Sequence, residues 1–79
     1  MADLSYEIIE TLGVLSQPKN GWAVELNLIS WDGRDPKYDI RKWSPDQSRM
    51  SKGVSLTKDE LINLRDILSE LDFDTDEID

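Results

Sequence analysis

The apolar residues of this chain change their period once, at Thr57, and that change restricts the fold more than any other feature. Ahead of it, short stretches alternate with a period of two, as strands do. Beyond it, Leu61, Leu64, Leu68 and Leu71, widened by Ile67, recur as one stripe of a helix. The junction Thr57-Lys58-Asp59-Glu60 reads as a capping box. The Thr hydroxyl accepts from the third helical N–H, and the Glu carboxylate reaches back to the Thr57 N–H. A helix is therefore expected from there to about Leu71.

Four strands are expected before it. In Tyr6 to Ser16, the residues Tyr6, Ile8, Leu12 and Val14 share one parity, interrupted by Glu10. Gln17-Pro18-Lys19-Asn20-Gly21 is rich in turn formers, and Asn-Gly is a strong hairpin signal. From Trp22 to Trp31, the residues Trp22, Val24, Leu26 and Leu28 alternate with Ala23, Glu25 and Asn27. The alternation breaks at Ile29-Ser30-Trp31, marking a bend, a bulge or the strand's end. Asp32-Gly33-Arg34-Asp35-Pro36 makes a turn. In the third strand, Lys37 to Trp43, Tyr38 and Ile40 read as core, while Lys37, Asp39, Arg41 and Trp43 share the opposite, outward face. A polar loop from Ser44 to Ser51 leads to a short strand, Gly53 to Leu56, with Val54 and Leu56 inward. The expected class is α+β: a four-stranded curved antiparallel sheet followed by one C-terminal helix. The helix covers one sheet face and leaves the other for a partner or ligand. The domain is expected to span residues 1–71, with residues 72–79 as a flexible acidic tail.

A chain of 79 residues makes one domain, which buries only about 60 to 65 % of its unfolded surface. The absence of Cys and His removes disulfides, thiolate metal sites and the commonest general base. Oligomerisation is the remaining supplement to a thin core, so a homodimer is expected. No apolar run approaches the roughly 20 residues that span a bilayer, and no signal peptide is visible, so a cytoplasmic location is expected. No paired acids, Gly-rich phosphate loop or activated nucleophile is visible. Neither an enzyme nor a bound cofactor or metal is expected.

Charge is distributed unevenly. The formal net charge is -8. From Thr57 onward there are nine acids and two bases, whereas residues 1–56 sum to only -1. Between Arg34 and Lys52 there are six bases against three acids, next to Trp31 and Trp43. One face of such a molecule suits an anion while the remainder is acidic.

Two spaced elements, Asp39-Ile40-Arg41 and Lys52-Gly53-Val54-Ser55-Leu56-Thr57 before a helix, carry a resemblance. They resemble the positive-cofactor-four transcriptional coactivator family. Pro36 to Arg41 and Trp43-Ser44-Pro45-Asp46 look most like its bacterial YdbC-like branch. The resemblance covers roughly Glu7 to Leu71. It implies a homodimer that binds single-stranded DNA. Trp31-Asp32-Gly33 looks like the family's turn whose aromatic stacks on a base, and Arg34 stands where the family carries a Lys. Arg41 matches its DNA-contacting Arg, Trp43 its next aromatic site, and Lys52-Gly53 its basic residue and glycine. The loop before Lys52 departs from the pattern: Ser51 replaces a second base, which leaves Arg49 as the substitute. The serine-rich regulatory region of the eukaryotic coactivators has no counterpart here.

The residue types fit that chemistry. Unpaired bases expose flat faces on which aromatics stack, largely without regard to sequence. Lys and Arg neutralise phosphates. The expected nucleic-acid-binding residues are Trp31, Arg34, Lys37, Arg41, Trp43, Arg49 and Lys52. Trp22 is expected to pack against the helix or first strand. The plainer reading of Trp43 is a core or dimer-packing residue, and that of Lys37, Asp39 and Arg41, spaced by two, is surface ion pairing worth under ~1 kcal/mol. An alternative function is a protein-interaction module whose working surface is the acidic helix and tail. RNA is a further candidate ligand.

Overall fold

The computed structural model describes residues 5–16 and 20–72. Strands β1 (Tyr6–Ser16), β2 (Ala23–Trp31), β3 (Lys37–Trp43) and β4 (Met50–Leu56) precede one helix, α1 (Lys58–Ser69). The sheet is antiparallel in the order β1-β2-β3-β4 and is not closed. The α+β expectation is met, with β4 three residues longer at its start than expected. Residues 17–19 of the expected hairpin turn, and the expected acidic tail from Phe73 onward, lie outside the described residues.

The capping box forms as its sequence requires. Thr57 Oγ1 accepts from the Glu60 N–H at 3.2 Å, and Glu60 Oε1 accepts from the Thr57 N–H at 2.8 Å. Asp59 and Glu60 place negative charge in the first turn, where the helix dipole favours it.

The sheet coils because its edges are irregular and its middle is not. β2 and β3 pair without a shift from Ala23↔Trp43 to Ile29↔Lys37. β1 shifts register against β2 between Ile8 and Glu10, Thr11 and Gly13, and Val14 and Ser16. β4 shifts between the partners of Arg41 and Trp43. Each shift adds twist and bends its strand. Of the readings of the break at Ile29-Ser30-Trp31, the strand's end is met, since β2 ends at Trp31, and the register shift opposite Ile29 lies in β1 between Ile8 and Glu10.

Coiling reverses which face is buried. The alternation along β2 and β3 follows the sequence, but the parity read as core is only half-buried: Val24, Leu26, Leu28, Tyr38 and Ile40. The parity read as outward folds in on itself. Glu25, Asn27, Ile29, Asp39 and Trp43 on that face are all buried, and Ala23 with them. The outward placement of Trp43 is thus corrected: it shares the Arg41 face but is 0 % exposed. Tyr6, at the start of β1, lies 5.7 Å from both the Trp31 and Trp43 rings.

The helix lies on the other side of the sheet. Leu61, Ile62, Leu64 and Leu68 line an open apolar groove of about 470 Å³ with Leu15, Leu26 and Ile40. Ile67, Leu68 and Leu71 of the expected stripe stay exposed, as do Leu12, Val14 and Leu15. Val54, expected inward, is exposed as well.

Candidate nucleic-acid interface

The turn between β2 and β3 sets the first two site residues. The Arg34 N–H donates to the Trp31 carbonyl at 2.9 Å, closing a tight turn over Asp32 and Gly33. Both central residues have positive φ, 51° and 74°, a geometry suited to Asp-Gly. Asp32 is further held by Ser5, whose hydroxyl donates to Oδ1 at 2.8 Å and whose carbonyl accepts from the Asp32 N–H. Ser30 Oγ donates to the Arg34 carbonyl at 2.7 Å. Trp31 and Arg34 consequently leave one rigid corner side by side.

That corner forms an open cleft of about 300 Å³ lined by Trp31, Arg34, Asp35, Lys37, Arg41 and Ser55. Four of the seven expected residues are therefore brought together. Arg34 and Lys37 are exposed. The Arg41 guanidinium sits 4.8 Å from the centroid of the Trp31 ring, within cation–π range.

Arg41 is not a surface cation. Its Nε and Nη2 donate to the two carboxylate oxygens of Asp39 at 2.6 and 2.7 Å. Its Nη1 lies 3.2 Å from Met50 Sδ and 3.3 Å from the Ser51 carbonyl. Asp39 is 0 % exposed and also accepts from Ser55 Oγ at 2.9 Å, while the Arg41 side chain is 13 % exposed. The expected surface ion pair is instead a buried, bidentate one. Removing either partner of such a pair costs about 3 to 5 kcal/mol, because the other charge is stranded. Gly53 makes room for it. A Cβ there would overlap Arg41 Cβ and come within 2.5 Å of the Ile40 carbonyl oxygen and 2.9 Å of Arg41 Nε.

The other three expected residues lie elsewhere. Trp43 is enclosed, with its indole N–H buried and unpartnered among the described residues. Arg49 stands 5.6 Å over the ring of Trp22, which is half-buried. Trp22 thus meets the β3–β4 loop, a contact that its expected packing on the helix or first strand does not include. Lys52 is exposed on β4 and does not line the cleft.

The β3–β4 loop is ordered by one carboxylate. Asp46 Oδ1 accepts from Ser48 Oγ, the Ser48 N–H and Ser44 Oγ at 2.7 to 3.0 Å. These bonds, led by the Ser48 hydroxyl, lower the Asp46 pKa from 3.8 to about 2. Gln47 reaches from this loop to the buried Glu25, donating to Oε1 at 2.8 Å.

The expected site residues do not include Tyr6, Asp39, Ser55 or Gly53, although the last three stand in the two elements that carry the resemblance. The spacing of Asp39 and Arg41 on one strand face is the available signal.

Residues 19–67, more than half of the chain, match the model of the family described as Transcriptional Coactivator p15 (PC4). The chain belongs to that family. The PC4 family is nucleic-acid-binding and non-enzymatic, and is connected with transcription. The chain is also 53 % identical over 72 residues to an uncharacterized protein of Treponema pallidum (strain Nichols), covering 91 % of this chain and 85 % of that protein. No helix among the described residues is long and apolar enough to cross a membrane.

Proposed function

We propose that this chain is a single-stranded-DNA-binding protein with little sequence preference, working as a homodimer in transcription regulation, replication or repair. The observation that carries the reading is the cleft where Trp31 meets Arg34, Lys37 and Arg41. A ring held at the cleft wall offers a face for an unpaired base, worth about 1 to 3 kcal/mol per base stacked. The exposed Arg34 and Lys37 beside it suit the flanking phosphates. Arg49 and Lys52, exposed outside the cleft, are further candidate phosphate contacts. The one helix among the described residues carries acids in its first turn and no base in its last, which does not suit the major groove of a duplex.

The homodimer rests on the opposite side of the sheet. Among the described residues the buried hydrophobic side chains are Ala23, Ile29 and Trp43 alone. The groove between α1 and the sheet, and the exposed leucines beside it, supply the apolar surface that such a thin core leaves uncovered.

Titration of a labelled oligo-dT tests the function. Saturable binding at micromolar concentration that weakens with added salt supports it. Tight binding to matched RNA but not DNA replaces the ligand. Pull-down of proteins that survives nuclease and depends on residues after Leu71 favours the acidic surface instead.

A further inference from the structure

We infer that Arg41 and Asp39 are positioning residues for Trp31, and that Arg34 and Lys37 are the cleft's phosphate-neutralising cations. This assignment of roles rests on the single-strand reading of the same cleft and deepens it.

Each nitrogen of the Arg41 guanidinium is already engaged, two of them by the buried Asp39 carboxylate. Swinging Arg41 out to a phosphate would strand that carboxylate without its cation. The Arg41 guanidinium carbon lies 4.8 Å from the centroid of the Trp31 ring, and Tyr6 lies 5.7 Å from the same ring, tilted by 46°. Trp31 thus has the anchored Arg41 guanidinium and the tilted Tyr6 ring as neighbours, a contact that leaves room for a base on the ring. Ser55 anchors the carboxylate from β4, and Gly53 leaves the space in which the guanidinium lies. The change Arg41→Lys would keep the charge but lose the two-pronged hold on Asp39 and the planar group beside Trp31.

Phosphate contacts and stacking separate in the salt dependence. Each phosphate neutralised on a single strand contributes about 0.7 to the slope of log K against log salt. Binding of oligo-dT is therefore measured across salt for the wild type and for Arg34→Gln, Lys37→Gln, Arg41→Lys and the double variant Asp39→Asn/Arg41→Gln. The double variant buries no unpaired charge, and thermal melting confirms that it folds. Arg34→Gln and Lys37→Gln are expected each to flatten the slope by about 0.7 per cleft. Arg41→Lys and the double variant are expected to keep the wild-type slope and to weaken binding between about two- and thirtyfold at every salt concentration. Their tryptophan near-ultraviolet dichroism should change as Trp31 loses its support. A slope flattened by the double variant as much as by Arg34→Gln overturns the inference, as does full rescue by Arg41→Lys. Absence of wild-type binding sinks the functional reading itself, which is a separate outcome.

Discussion

Replacing Trp43 separates a core tryptophan from a stacking one. Its side chain is 0 % exposed, and Tyr6 stands 5.7 Å from its ring. Trp43→Ala should cost about 3 to 5 kcal/mol, a large part of the roughly 5 to 15 kcal/mol that stabilises a typical domain. Trp43→Phe is the sharper probe. The indole N–H is buried without a partner among the described residues, so Phe forfeits no hydrogen bond to them. Phe is smaller by roughly 40 Å³, which at ~24 cal/mol per Å³ of cavity costs about 1 kcal/mol. Urea unfolding followed by circular dichroism, at one fixed protein concentration, measures both variants. Oligo-dT titration of Trp43→Phe should give an affinity within about twofold of wild type, since the ring is enclosed and does not line the cleft. A Trp43→Ala variant as stable as wild type would refute the core placement. So would a Trp43→Phe variant that keeps its stability yet binds single strands tenfold more weakly.

Three further outcomes rest on the same geometry. Gly53→Ala should destabilise by about 1 to 3 kcal/mol through overpacking against Arg41 and the Ile40 carbonyl, read by urea unfolding. The Asp46 pKa is depressed in the fold, so its contribution to the β3–β4 loop is present above 3.8 and lost as pH falls through about 2. The protection factor of the Ser48 amide, with the intrinsic exchange rate divided out, should fall across that window, and Asp46→Asn should abolish that change. If α1 and the sheet pack against a second copy, the melting temperature should rise with protein concentration, and a concentration-independent melt would count against the homodimer.

Element identity is legible in the sequence because local rules and fold agree. β1 and β3 keep their expected bounds, and α1 starts at its capping box. Burial is harder to read because alternation tells which residues share a face without telling which face closes. Here the register shifts of β1 coil the sheet until Tyr6 reaches both Trp31 and Trp43. Glu25, Asn27 and Asp39 are consequently inside, held by Gln47, by one another and by Arg41. Such compensation depends on partners 2 to 22 residues away, so the residue types alone point to the surface. Within the site, Trp31, Arg34, Lys37 and Arg41 are legible from composition and turn chemistry. Arg41's role is not, because it depends on a carboxylate whose burial only the fold decides.

That the Trp31 cleft binds unpaired bases is tested most directly by tryptophan fluorescence during titration with oligo-dT, beside a matched duplex, with wild type and Trp31→Ala compared. The predicted result is saturable quenching by the single strand, loss of affinity as salt rises and weaker binding to the duplex. Single-strand binding should be about five- to 150-fold weaker in Trp31→Ala. Equal binding to both nucleic acids, or unchanged affinity in Trp31→Ala, would contradict it.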